Sequence, residues 1–345
     1  MKRPRHAYST GNPSIDRQLR GLVGELNPTD ARLVFELMAT SVRLGQPPIT
    51  RLDRKIANTA LKEMRYAFSV FAPYRHIRKV SIFGSARISK NDPDYANTRD
   101  FSRLIASRGW MVVTGAGPGI MEAGHEGAGG ELSFGVNILL PFESQANPII
   151  AGDPKLINFK YFFIRKLVFI KESDAFVLLP GGFGTMDEMF ELLTLMQTGK
   201  SDLHPIIMLD RPGGTYWKAF DRYLREELLR PGYIAESDLD LFTYTDDVTK
   251  AVAEIEKFYS VYHSQRFVNG KLVLRLTRAP GPDELKSLSK EFEDLIDGPI
   301  EPAAASTAEL RDGDVPDLPR IALNVDRMFA GRMRRLIDRL NEGPG

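Results

Sequence analysis

Residues 174–193, DAFVLLPGGFGTMDEMFELL, set a carboxylate just behind a glycine-rich turn. The first six residues are an apolar run with the length and composition of a buried parallel strand. Pro180-Gly181-Gly182-Phe183-Gly184-Thr185 breaks that run, and apolar residues then return at helical spacing at Met186, Met189, Phe190 and Leu193. Strand, glycine turn and helix start in this order make an anion site. The glycines admit a ligand close to backbone N–H groups, and the open N-terminus of a helix carries partial positive charge. Thr185 adds a hydroxyl. Glu188, four residues beyond Gly184, falls in the first helical turn and faces whatever the loop holds. An ionised carboxylate only accepts hydrogen bonds, so beside a phosphate it suits sugar hydroxyls or proton transfer.

Further candidates lie upstream. GAGPGIMEAGHEGA (115–128) is a second glycine turn. Its G-x-G-x-G spacing is not the dinucleotide fingerprint, and no acidic residue ends a strand about 20 positions on. By itself this run reads equally as a tight turn with close helix–strand packing; opposite the first loop it reads as phosphate-binding. Glu122 is either a further site acid or a first-turn carboxylate that complements the helix dipole. Arg165-Lys166 interrupts an otherwise apolar stretch, FFIRKLVFI. Such cations need anionic partners or exposure. Lys166 can reach solvent along its stem, whereas Arg165 has the planar fork suited to phosphate or to charge on a leaving base. The histidines have no metal-ligand spacing, and G-x-S-x-G and G-x-x-x-x-G-K-[ST] are absent. Metal, serine-hydrolase and P-loop chemistry are therefore unsupported.

The elements that must position these residues follow from periodicity. Residues 14–72 read as three helices, interrupted at Asn27-Pro28-Thr29-Asp30 and at Gly45-Gln46-Pro47-Pro48. From Lys79 onward, strands (79–84, 110–115, 134–140, 174–179, 205–210, 241–245) alternate with helices. That alternation predicts an α/β fold with a Rossmann-like, doubly wound parallel sheet. Ligands in such sheets sit at the carboxyl ends of strands, where the turns after 79–84, 110–115 and 174–179 all fall. SQRFV-NG-KLVLRLT (264–277) reads as a hairpin about Asn269-Gly270. Residues 298–319 read as a loose linker and 321–340 as an amphipathic helix that docks on this protein or on a second copy of it. The expected organisation is a helical N-terminal extension (1–78), the sheet core (79–262) and a C-terminal extension of hairpin, acidic linker and helix (263–345).

Composition narrows the function classes. The 345 residues carry a formal net charge of +1, which argues against a whole-chain nucleic-acid footprint. The charge is uneven: residues 1–79 hold 15 Lys/Arg against 6 Asp/Glu, and residues 280–319 hold 3 against 11. Solvated surface accounts for such blocks. The absence of cysteine removes disulfides, thiolate catalysis and Cys-ligated metals. No apolar run reaches the ~18 residues of a membrane span, and the first residues lack a secretory apolar segment. A cytoplasmic protein without a membrane partner is expected.

The stretch PGGFGTMDE (180–188) resembles the hallmark PGGxGTxxE of the LOG family, cytokinin riboside 5′-monophosphate phosphoribohydrolases and related bacterial nucleotide nucleosidases. Phe83-Gly84-Ser85-Ala86-Arg87 is similar to that family's first-strand turn, residues 115–122 to its second glycine loop, and Arg165-Lys166 to its Arg-Lys pair. The likeness runs in the family's order over about 79–260. It implies Arg165 and Glu188 as the catalytic pair. It also implies a phosphate or substrate site of Gly84, Ser85, Gly115, Gly117, Gly119, Met121, Glu122, Lys166, Gly181, Gly182, Gly184 and Thr185. It further implies a nucleotide substrate, no cofactor, no metal and a homodimer or larger homo-oligomer. Ala116 and Glu122 depart from the family's usual GGGxxGLMG and bear on which base is accepted. A lysine decarboxylase label, sometimes given to such proteins, finds no support: nothing identifies a Schiff-base lysine with a pyridoxal site. The rival reading is a non-catalytic nucleotide sensor or cofactor carrier of the same fold.

Overall fold

The computed structural model describes residues 8–140, 145–325 and 329–343. The chain forms two compact units, residues 1–66 and 67–345. The first begins with helix α1 (Pro13–Leu26), whose Asn12 cap accepts hydrogen bonds from Ser14 and Ile15 N–H. Asn27 ends it in the left-handed region, φ 42°. Helix α2 (Ala31–Leu44) starts at Asp30, which caps Leu33 N–H. Val23, Phe35 and Ala39 are the buried centre of this pair, with Leu19, Val34 and Met38 against it. Helix α3 (Arg51–Phe71) follows. The three expected helices are thus present.

The second unit is built on a seven-stranded parallel sheet. Its elements, in chain order, are β1 (Lys79–Phe83), α4 (Pro93–Ser107), β2 (Met111–Thr114), α5 (Ile120–Ala128), β3 (Ser133–Ile138) and β4 (Leu156–Phe159). Then come α6 (Phe162–Glu172), β5 (Ala175–Leu178), α7 (Phe183–Gln197), β6 (Ile206–Leu209), α8 (Tyr216–Tyr223), β7 (Thr243–Thr245) and α9 (Val248–Phe258). The strand order is β4-β3-β2-β1-β5-β6-β7. The chain winds outward from β1 to β4, then returns to place β5 on the other side of β1. The order reverses between β1 and β5, the position where doubly wound sheets bind ligands.

Alternation along each strand assigns the two faces. Val80 and Ile82 of β1, with Ala175, Val177 and Leu179 around β5, pack against Phe101 and Ile105 of α4, Ile120 of α5 and Ile255 of α9. Phe83 and Phe176 stack on the opposite face, and Phe83 meets Phe169 of α6 edge-on at 4.9 Å. These strands are apolar on both faces because helices cover both, so they read as runs and not as alternation.

A four-stranded antiparallel sheet completes the unit. It comprises β8 (Tyr262–Val268), β9 (Lys271–Leu276), β10 (Glu301–Ala303) and β11 (Arg320–Leu323), in the order β10-β11-β9-β8. Asn269 and Gly270 turn the expected hairpin with φ of 52° and 88°. Two expectations are corrected here. Residues 298–319 are no loose linker: they contain β10 and helix α11 (Thr307–Asp312), closed by a Ser306–Glu309 capping box. The helix expected over 321–340 is strand at Arg320–Leu323, and α12 spans only Ala330–Glu342. Pairing with β9 decides the strand, since Ile321 and Leu323 sit opposite Leu274 and Leu272. Between β9 and β10 lies α10 (Pro282–Glu291). Helix α12 docks within this unit through buried Met333, Leu336, Ile337 and Leu340. Its Arg334 pairs with Glu254 of α9 at 2.5 Å. No helix among the described residues is long and apolar enough to cross a membrane.

Candidate active site

Three turns meet at the carboxyl edge of the sheet, after the adjacent strands β2, β1 and β5. Gly84 and Ser85 follow β1, residues 115–119 follow β2, and residues 179–182 follow β5. Backbone bonds join all three: Ser85 N–H donates to Pro180 O (3.1 Å) and Ile120 N–H to Ser85 O (3.0 Å). The backbones come so close that a Cβ on Gly119, already at φ 68°, would lie 2.4 Å from Ser85 O. Gly182 and Gly184 differ, because a Cβ there would meet nothing within 4 Å. Their bareness leaves the space in front of α7 open.

Neither α5 nor α7 has a side-chain cap; their N-cap residues are Gly119 and Gly182. Two helix N-termini therefore present orphan N–H groups at the same edge of the sheet, an arrangement that favours an anion. Thr185 is buried in the first turn of α7, its Oγ1 close against Gly181. The hydroxyl of Tyr216 donates to Gly181 O at 2.6 Å and ties this turn to α8. Phe183, 96% exposed, leads α7 into solvent.

Glu188 sits one helical turn behind that N-terminus and is only 8% exposed. Burial pushes its pKa up to about 7, although Arg165 and Lys166 pull the other way. Arg165 reaches across from α6. Its Nε donates to Val136 O at 3.0 Å, and its guanidinium lies 5.3 Å from the Phe169 ring centre. Burial lowers its pKa and the charge of Glu188 opposes that, while a guanidinium stays protonated throughout. With Nε committed, the Nη groups are the part of the fork left for a ligand.

Gly115 makes room for this arrangement, since a Cβ there would fall 2.3 Å from Arg165 Nη2 and 2.7 Å from Met121 Sδ. Gly115→Ala is therefore expected to displace both side chains. An error of about 1 Å in a catalytic group typically costs on the order of 10² in rate. The check is turnover beside a melting curve: near-wild-type activity in a folded Gly115→Ala variant would show that Arg165 need not be where it lies.

The remaining sequence candidates take different places. Met121 lies over Gly115 and Gly117. Lys166 bridges Asp187 (2.8 Å) and Glu191 (2.7 Å), so its ammonium ties α6 to α7. Burial alone would lower its pKa, but those two carboxylates raise it. Glu122, in the first turn of α5, is paired with Lys90 at 2.8 Å. Lys90, Tyr216 and Asn147 went unnoticed in the sequence. Of these, only Asn147 carried a local signal, the turn-forming Asn147-Pro148 pair. Among the described residues no group of His, Asp or Glu is arranged to hold a metal.

The chain is similar in sequence to known proteins. A family model described as "Possible lysine decarboxylase" matches residues 118–255. A cytokinin riboside 5′-monophosphate phosphoribohydrolase of Mycobacterium tuberculosis is 31% identical over 154 residues, 43% of this chain and 78% of that protein. This chain belongs to the LOG family. A second relative, a cytokinin riboside 5′-monophosphate phosphoribohydrolase of Arabidopsis thaliana, is 24% identical over 186 residues, 52% of this chain and 83% of that protein. Among solved structures, a molybdenum cofactor carrier protein from Chlamydomonas reinhardtii is 18% identical over 52% of this chain and 97% of that one, with a TM-score of 0.35. The part of this LOG-family chain that the family model matches runs from Pro118 in the second glycine turn into α9, leaving α1–α3, the elements from β1 to β2 and the antiparallel sheet outside it.

Proposed function

We propose that this cleft hydrolyses the N-glycosidic bond of a purine nucleoside 5′-monophosphate, AMP or a cytokinin ribotide, to free base and ribose 5-phosphate. The observation that carries the reading is a buried carboxylate with a pKa of about 7, one turn behind an uncapped helix N-terminus. The names of the two relatives support it. The 5′-phosphate takes the N–H groups at the head of α7 and the Thr185 hydroxyl. Glu188 then stands beside the ribose. As the C1′–N bond breaks, its electrons leave with the base and the sugar becomes oxocarbenium-like. The Glu188 carboxylate offsets that positive charge and accepts a proton from the attacking water, a task suited to a group titrating near neutrality. Water oxygen bonds to C1′, and the departing base takes up a proton. Arg165 neutralises charge on the base or the phosphate.

The assembly in this reading is a homodimer or larger homo-oligomer. Exposed Phe162, Phe163 and Leu167 along α6 support it, being apolar surface that a second copy can cover.

The deciding experiment is base release from a panel of nucleoside 5′-monophosphates, followed by chromatography. Adenine and ribose 5-phosphate are expected from AMP. Saturable AMP binding with no base released from any nucleotide would replace the enzyme with a nucleotide sensor or carrier.

A further inference from the structure

We propose that Asn147, backed by His125, is the positioning residue that holds the second glycine turn in its ligand-binding conformation. The inference rests on the phosphoribohydrolase reading above. Its starting point is Ala116, a non-glycine residue at φ 63°. L-residues avoid that region because Cβ crowds the following carbonyl, so something must hold Ala116 there.

Asn147 does so from the far side of the turn. Its backbone N–H donates to Ala116 O at 2.8 Å. Its Nδ2 lies 3.0 Å from Ala116 O and 3.0 Å from Gly117 O. Carbonyls only accept, so the amide is oriented with nitrogen toward the turn. Thr114 Oγ1 accepts the Ala116 N–H at 3.0 Å. His125 closes the ring behind: Nε2 lies 3.0 Å from both Phe134 O and Thr114 Oγ1, and Nδ1 lies 3.1 Å from Asn147 Nδ2. Because Phe134 O can only accept, Nε2 carries the ring proton and Nδ1 faces Asn147 as an acceptor. Burial lowers the His125 pKa and keeps the ring neutral.

The consequence reaches the cleft through peptide planarity. With Ala116 O turned toward Asn147, the Gly117 N–H on the same peptide plane points the opposite way. It has no hydrogen-bond partner among the described residues. Pro118 contributes no N–H, so Gly117 supplies the donor at the head of this turn. Without Asn147, Ala116 relaxes to negative φ, the peptide rotates, and that donor is lost to an anion.

The test compares Asn147→Ala, Asn147→Ser and the double variant Ala116→Gly/Asn147→Ala by AMP calorimetry and steady-state kinetics, with melting curves. Asn147→Ala is expected to raise Kd and KM for AMP by about tenfold, the size of a left-handed alanine's penalty, with a much smaller change in kcat. Ala116→Gly added to it restores most of the affinity, because glycine adopts this conformation freely. A purely structural asparagine would not be rescued in this way. The proposal is overturned if Kd stays within about twofold of wild type, or if a folded double variant binds no better than the single one. Should Asn147→Ala fail to fold, Asn147→Ser carries the same comparison. A wild-type protein that binds AMP without releasing base removes the enzymatic reading, while the Kd comparison still decides the role of Asn147.

Discussion

Glu188→Gln is expected to reduce base release by about 10²–10³ or more, the usual effect of removing one preorganised group, and Arg165→Ala to do likewise. Neither change should unfold the protein, and Glu188→Gln should stabilise it at high pH. The buried Glu188 carboxyl has its pKa raised from 4.5 to about 7. Over that window the native state holds a proton that the unfolded chain has released, so stability falls as pH rises. The full effect is about 3 kcal/mol, present above pH ~7 and absent below ~4.5. Glutamine mimics the protonated acid and escapes the penalty. Melting temperatures of the two proteins should therefore coincide near pH ~4.5 and separate as pH rises, the variant becoming the more stable. A Glu188→Gln protein with turnover within threefold of wild type would sink the catalytic assignment. One less stable than wild type near pH 8 would show that the carboxylate is better solvated than its burial implies.

Glu309→Gln should damage the fold and spare the chemistry. Glu309 is 1% exposed and lies against two buried guanidiniums. Its Oε1 accepts from Arg275 Nε (2.9 Å) and Nη2 (2.7 Å), and from Arg320 Nη2 (3.4 Å). Oε2 accepts from Ser306 N–H at 2.7 Å. Burial alone would raise its pKa, but the hydrogen bonds from Ser306 and the charge of Arg275 outweigh that and bring it down to about 2. Its stabilisation is therefore complete above pH ~4.5 and is lost as pH falls toward ~2. Removing one partner of such a cluster leaves the other charges buried and uncompensated, at a typical loss of about 3–5 kcal/mol. Denaturant unfolding at neutral pH reads this directly, and amide exchange should show β9 and β11 opening first. A loss below about 1 kcal/mol would mean that Asp314, 2.6 Å from Arg275, carries the network without Glu309.

These two sites differ in how much of each was legible in the chain. The PGGFGTMDE turn and the strand before it were readable because every determinant is local. An apolar run, a break and a helical restart lie within twenty consecutive residues, so a carboxylate close behind a helix N-terminus follows from spacing, although α7 already begins at Phe183 and puts Glu188 in its second turn and not in the expected first. The glycine turns at 84, 115 and 181 were expected to converge, and they do, because strand–helix alternation leaves few ways to order a parallel sheet. The Glu309 cluster was invisible. Its arginines come from strands 34 residues before and 11 residues after it, and the acidic, proline-containing stretch around it has the composition of a linker. The neighbouring Ile321 and Leu323 likewise read as the start of an amphipathic helix until β9 offers them pairing partners.

The sequence by itself determined the parallel-sheet architecture, the glycine turns at its carboxyl edge and the carboxylate behind one of them, since periodicity and turn chemistry act over a few residues. Only the tertiary structure decided what those groups meet. Lys166 serves two carboxylates of α7, Gly115 is bare because Arg165 arrives from another helix, and Ala116 holds a left-handed turn because Asn147 and His125 close in behind it. Each of these depends on contacts between segments far apart in the chain, which become neighbours only when the apolar faces of the sheet are buried.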